Sequence, residues 1–389
     1  MSYISSNANR FYTAVESAYG QVSAITGMER IPAVKLTTKQ QVETSERKDK
    51  TGSRTFTGLP PGARRRTAFG MKTYMTSWTD PLHKPSHGPL FQASLGGTPK
   101  TFAGGTAGSG SSGTTLVLAA PHGLTPGQAV TLGGEIRFVA AVTDTLRVQL
   151  NAPFSITPGA GAAIGPTVAY LPATELPSIS IFDYWSPNSA VQRILCGAAV
   201  DKMEIHVNGD YHQFEFSGMA QDLIDSSSFS GDLGGLTAFP NEPVLASFDY
   251  SIVPGHMGQA WLGNTPDRFY TLTSANFLLN NALDLRAREF GSSLPRCIAP
   301  GRRSVTFDFE LFGQDDDATK TLYQAARQQS PIEVMLQLGE QSQQLVGVFL
   351  KSVVPEVPEF DDSEHRLRWR FRNSRAQGTV DDEIVVAFG

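Results

Sequence analysis

The sequence predicts a mainly β protein built from α+β units: two tandem β-sandwich or barrel domains, a helix flanking each, and a small β domain inserted in the first. Three observations lead there. The chain is 389 residues long, enough at about 100–200 residues per domain for two or three separate cores. Its 37 Gly and 24 Pro divide it into short segments in which apolar and polar residues alternate, as in half-buried strands. The order of those segments then occurs twice.

Residues 1–27 include RFYTAVESAYGQV, weakly helical up to Gly20, and are expected to form an arm that packs on a neighbouring molecule. The first domain, 28–99 with 171–222, contains PGARRRTAFGMKTY from Pro61 to Tyr74. The second, 266–378, contains PGRRSVTFDFELF from Pro300 to Phe312. With Ala63 as one extra residue, Phe69 corresponds to Phe307 and Met71 to Phe309, and both segments alternate as strands. LFQAS at Leu90 then corresponds to LYQAA at Leu322, each a short helix, with the Asp315–Asp317 run as N-cap of the second. PSISIF from Pro177 corresponds to PIEVML from Pro331. LCGAAVDKM from Leu195 corresponds to LVGVFLKSV from Leu345, setting Gly197 against Gly347. YHQFEF from Tyr211 corresponds to RLRWRF from Arg366, setting Phe214 and Phe216 against Trp369 and Phe371. Five matches in one order make chance a poor explanation.

The second copy passes directly from Ala326 to Pro331, whereas the first carries 100–170 at the same place. That insert starts with AGGTAGSGSSG and ends with PGAGAAIGP, which read as flexible tethers. Between them TTLVLAA, AVTL, IRFVAAV and LRVQL alternate, with turns at His122-Gly123, Pro126-Gly127, Gly133-Gly134 and Thr143-Asp144, so a small antiparallel barrel or sandwich is expected. A connector, 223–265, and a C-terminal tail, 379–389, complete the chain.

Composition narrows the function. Charged residues are 18% and the net charge is −5, so the overall basic pull of a general DNA coat is missing. Two Cys, Cys196 and Cys297, cannot make a disulfide framework, and the polar N-terminus with Arg10 does not resemble a signal peptide, so a cytoplasmic, reducing setting is expected. No apolar stretch reaches the roughly 20 residues of a membrane span.

No enzyme chemistry is expected. His83 and His87 have HxxxH spacing, but Pro85 lies between them and denies them a shared helix face. Gly108, Gly110 and Gly113 satisfy GxGxxG without the flanking strand and helix that phosphate binding needs. The two cysteines stand in unrelated contexts, and Asp315–Asp317 lacks the spacing of a calcium loop. No metal or cofactor is expected.

Charge patterning says more. Arg366, Arg368, Arg370 and Arg372 alternate with Leu367, Trp369 and Phe371, so a strand would put four guanidinium groups on one face. They could grip phosphate or pair with carboxylates of a neighbour. Comparison of the copies favours pairing: Glu215 stands where the second copy has Arg370, and Lys72 where it has Glu310. Swapped signs at equivalent positions would favour contacts between unlike copies around a ring and penalise contacts between like ones.

The ESAYG segment at Glu16, the LPPGARRRTAFGMKTY strand, GPLFQASLGG from Gly88 and CGAAVDKMEIHVNGDYHQFEFSGMAQDL from Cys196 together resemble the tail tube proteins of siphophages, bacteriophages with long non-contractile tails. The resemblance covers both copies and not the insert. It implies β-sandwich units whose sheets join around rings of six, stacked into a tube that conducts double-stranded DNA without sequence-specific binding. A duplicated chain would then make the ring from three copies, with the insert on the outer surface.

The implied partners are further copies of the chain, the tape measure protein, the tail terminator and distal tail proteins, in a virion tail assembled in the host cytoplasm. An acidic chain suits a channel that repels DNA or lets it slide. Long hairpins and the N-terminal arm would make ring-to-ring contacts. Two alternatives share the resemblance: a distal tail or tube-completion ring protein, and a host-surface or carbohydrate-binding tail protein acting through the insert. If binding were the insert's task, deleting about 101–170 would abolish it, whereas tube assembly would survive.

Overall fold

A computed structural model describes residues 3–43, 50, 52–55, 58, 64–78, 85–244, 250–263, 267–285 and 289–389. It is mainly β, and nineteen of its strands belong to one continuous antiparallel network. The N-terminal part gives β1 (Asn9–Val15), β2 (Arg30–Ile31), β3 (Ala33–Val42), β4 (Arg65–Tyr74) and helix α1 (Gly88–Leu95). The insert gives β5 (Lys100–Phe102), β6 (Gly105–Thr106), β7 (Thr115–Val117), β8 (Ala129–Leu132), β9 (Glu135–Val142), β10 (Arg147–Leu150), β11 (Ala163–Ile164) and β12 (Thr167–Tyr170). Then come β13 (Ile179–Trp185), β14 (Arg193–Val207), β15 (Gln213–Ala220) and β16 (Asp222–Asp225). The C-terminal part gives β17 (Gly258–Gly263), β18 (Asp267–Arg268), β19 (Leu272–Asn280), β20 (Ser304–Phe312), α2 (Asp317–Gln328), β21 (Ile332–Leu338), β22 (Val346–Val354), β23 (Glu359–Asp361), β24 (Arg368–Ala376) and β25 (Val385–Phe388).

Two strand sets have one pairing order. In the first, β1 pairs β13, β13 pairs β14, β14 pairs β15, β15 pairs β4 and β4 pairs β3. In the second, β17 pairs β21, β21 pairs β22, β22 pairs β24, β24 pairs β20 and β20 pairs β19. Even the irregularities correspond. β3 bulges between Ala33 and Lys35 and β19 between Leu272 and Ser274, while the β13–β14 and β21–β22 ladders shift at Ile179/Ile181 and Ile332/Val334. A bulge sets local twist, so a shared bulge means a shared strand path.

These registers correct part of the sequence alignment. The matching ladder shifts set Ile181 against Val334 and so move the Pro177/Pro331 match by one residue. Ile181 faces Leu195 and Val334 faces Leu350, so Leu350, rather than Leu345, corresponds to Leu195, and Gly197 matches Ser352 instead of Gly347. Apolar runs in buried strands slide past one another without penalty at the level of composition. Gly197 has φ +58, where a Cβ would come 2.7 Å from Gln221. Its role belongs to the first set alone.

Alternation fills one core between the layers, including Phe69, Met71, Phe214, Phe216, Phe277, Phe307, Phe309 and Phe371. Phe91 of α1 meets Phe214 and Phe216 edge-on at 5.2 and 5.3 Å. Asp316 caps α2 by accepting from the Thr319 N–H at 2.6 Å, the expected N-cap.

Several boundaries differ from expectation. The N-terminal arm contributes β1, which pairs along its whole length with β13, and the buried Glu16 accepts from Gly20 N, Ser178 Oγ, Ser180 Oγ and Gly197 N at 2.6–2.9 Å. This segment is folded into its own chain because FYTAV supplies a full row of core residues. The connector is also folded: Phe229, Leu233, Leu236 and Phe239 pack over Tyr12, Phe182, Tyr184 and Ile194, and Glu242 accepts from Tyr12 Oη at 2.9 Å. The second strand set starts at Gly258. The C-terminal tail carries β25, held between β22 and β12.

The insert is a four-strand sheet in the order β7–β10–β9–β8, with the Gly133-Gly134 turn at φ +58 and +83 closing the β8–β9 hairpin as a two-residue turn of this kind requires. Its expected tethers are not loose. They pair with each other as β6 and β11, and Ala107 and Ile164 are buried. Nor does the insert stand apart. Phe138 stacks on Phe349 at 5.3 Å, and Ala129, Ile136 and Ala152 share a cluster with Trp261, Met335 and Leu345.

Candidate assembly interface

The two strand sets meet at one ladder. β14 is 15 residues long; its first half pairs with β13 and its second half leaves that sheet to lie between β15 and β19. There Glu204 faces Leu278, Ile205 faces Phe277 and His206 faces Asn276. Ile205, Phe277 and Leu279 are buried, because alternation turns them to the face that packs on the core. A single run β3–β4–β15–β14–β19–β20–β24–β23 results.

Both ends of that run are open. Among the described residues β3 pairs with β4 alone and β23 with β24 alone. Phe360 of β23 is 55% exposed, although it corresponds to the fully buried Ile205. An unpaired edge invites strand addition. β23 follows Pro355 and Pro358, which lack the N–H that a ladder uses.

One face of the run is the core. The other carries the charged residues singled out by the sequence, and their pairing differs from the expected one. Lys72 and Glu215 are cross-strand partners within the first set, with Nζ to Oε1 at 2.7 Å. Glu310 faces Arg370 within the second set and draws in three guanidinium groups: Arg368 at 3.8 Å, Arg370 at 3.6 Å, and Arg372. Arg370 also binds Asp361, and Arg368 reaches Glu364 at 3.1 Å. Hydrogen bonds from Ser363, with Arg370 adding to them, hold the Asp361 carboxyl below its usual range. Within the chain, therefore, the swapped charges are met inside each set; the alignment located equivalent positions without showing that they face each other across neighbouring strands. An exposed cross-strand pair such as Lys72–Glu215 contributes about 0.2–1 kcal/mol.

Arg366 departs from the expected stripe. It lies before β24 and sits over the Phe312 ring, 5.3 Å from its centroid. Trp369 stacks on Phe360 at 5.2 Å, with Tyr323 at 5.7 Å.

The remaining candidates are absorbed by the core or lie elsewhere. His83 is outside the described residues. The buried His87 has Nε2 3.2 Å from Thr73 Oγ1 and 3.2 Å from the Tyr74 carbonyl, and burial lowers its pKa to about 4. Cys196 is buried and Cys297 exposed; burial raises the Cys196 thiol to about 12. Among the described residues, no three His, Cys, Asp or Glu side chains form a metal-ligand group, and no helix is long and apolar enough to cross a membrane.

Sequence reading missed the β14–β19 ladder and the open edges. A signal was present in the alternation of Ala275, Phe277 and Leu279, but nothing in it says which strand lies alongside. No protein-family model matches the chain, and no curated protein is significantly similar to it.

Proposed function

We propose that the chain is a structural subunit of a phage tail tube, in which three copies close into a pseudo-sixfold ring and stacked rings conduct double-stranded DNA. The single observation that carries this reading is that two strand sets of one order are joined edge to edge through β14 and β19 while the equivalent edges at both ends stay open. In this reading the sets are two copies of one tail-tube domain. A head-to-tail contact repeated around an axis closes a ring, and each chain already contains one such contact.

The charged face of the run suits the channel wall. Its Lys72–Glu215 pair and Glu310–arginine cluster engage four cations of that face within the chain, and each one engaged is one fewer to neutralise phosphate. Each phosphate left alone removes a counterion-release contribution that would hold DNA in place. Paired charges, more than overall acidity, then account for low friction. The partners would be further copies of the chain, the tape measure, the tail terminator and the distal tail proteins. The insert, docked on the second set, would lie on the outside.

Electron microscopy of the concentrated purified protein tests this. Rings or hollow tubes are expected; a protein that stays strictly monomeric overturns the reading.

A further inference from the structure

We infer that β3 of one chain adds to β23 of the next in one defined register, with Thr38 opposite Phe360 and Lys39 opposite Glu359. This rests on the tube reading and gives it its subunit contact.

The register comes from the joint inside the chain. Leu36 faces Met71 and Ala275 faces Phe309; Met71 faces Phe216 and Phe309 faces Phe371. Leu36 therefore stands where Ala275 does, Thr38 where Phe277 does and Lys39 where Leu278 does. On the other side, Glu204 and Ile205 face Glu215 and Phe214, while Glu359 and Phe360 face Arg370 and Trp369. Glu359 and Phe360 thus take the places of Glu204 and Ile205. Transferring the observed Glu204–Leu278 and Ile205–Phe277 pairs gives Glu359–Lys39 and Phe360–Thr38, with Asp361 opposite Thr37.

Two independent features fit this occupant. The charges are complementary: Lys35 and Lys39 lie on β3, Glu359 and Asp361 on β23, and neither lysine nor Glu359 has an ion-pair partner within 4.0 Å among the described residues. The exposure is also what a missing neighbour predicts. Phe277 is 1% and Ile205 0% exposed where the joint is made, whereas Phe360 is 55% exposed and Thr38 is half-buried where it is not. Pro355 and Pro358 confine strand addition to the stretch from Glu359 onward, which limits uncontrolled pairing with other edges.

Paired cysteines test the register in a Cys297→Ser background that removes the exposed native thiol. Cross-strand partners fall within disulfide reach. Thr38→Cys with Phe360→Cys should give a reducible ladder of covalent dimer and trimer on non-reducing gels, ending at the trimer. Thr38→Cys with Glu359→Cys, whose side chains leave opposite faces, should give little. In parallel, Lys39→Glu or Glu359→Lys should each reduce ring yield several-fold, and the double exchange should restore it. Native rings of three that neither cross-link at 38/360 nor respond to the charge exchange overturn the register and leave the tube reading standing. Absence of both cross-links and rings overturns both. A ladder running past the trimer supports the joint and overturns the threefold count.

Discussion

Ile205 and Phe277 face each other across the β14–β19 ladder, and through them the two halves of the chain share one core. Phe277 stacks on Phe307 at 4.6 Å, Phe307 on Phe309 at 4.8 Å, and Phe309 on Phe371 at 4.3 Å. A defect at the ladder is therefore felt by both halves. Phe277→Ala should lower stability by about 3–5 kcal/mol, read as a shift in the urea midpoint by both near-UV circular dichroism and tryptophan fluorescence. Two separate transitions in the parent protein would show that the joint does not couple the halves.

The insert should be anchored by contact with the second set. A Cβ at Gly347 would stand 2.8 Å from the Phe138 ring, and the fully buried Arg137 donates to Gln259 and Gln337 at 2.9 and 3.2 Å beneath Trp261. Gly347→Ala should cost about 1–3 kcal/mol and speed protease cleavage within 100–170. Unchanged cleavage would argue against docking. Removing 101–170 would also take away β12, the partner of β25, so that deletion should destabilise the body, contrary to the expectation from sequence; a stable deletion protein would refute this.

Acid should weaken the fold partly through His87. Its pKa is near 6.5 when unfolded and about 4 when buried, so the unfolded chain binds the extra proton between these values. Stability from this group is full above about pH 6.5 and declines as pH falls toward 4, by up to about 3 kcal/mol. Burial lowers the His212 pKa as well and adds a loss of the same sign. Urea midpoints from pH 7 to pH 4 should fall less steeply in His87→Gln; equal slopes would assign the acid sensitivity elsewhere.

In the proposed tube, Glu310 should keep the charged face from holding DNA. Its carboxylate serves Arg368, Arg370 and Arg372 together. Glu310→Gln should release those guanidinium groups toward phosphate and raise retention on immobilised DNA at low salt. Each additional phosphate neutralised steepens the fall of affinity with salt by about 0.9 in log–log slope. Retention equal to that of the parent would speak against paired charges as the source of low friction.

Local chemistry was readable in the sequence wherever one segment decides the outcome. Alternation located β4, β20 and β24, the Asp315–Asp317 run announced α2, and Gly133-Gly134 announced a hairpin. The equivalence of Lys72 with Glu310 and of Glu215 with Arg370 was also readable, because the swapped signs stand at matching places. What failed depended on distant partners. AGGTAGSGSSG looks like linker until PGAGAAIGP lies beside it, and the C-terminal VVAF becomes a strand only between β22 and β12. The offset of Gly197 from Gly347 shows the same limit, since register is set by cross-strand contacts that no single segment contains.

Everything proposed for assembly requires that one domain, present twice in each chain, build a ring from three chains. Averaged end-on electron micrographs of single rings, combined with native mass spectrometry of the same sample, bear on that requirement without intermediaries. Six similar lobes around a central hole, at the mass of three chains, are expected. Six chains per ring, or particles without a hole, would rule the arrangement out.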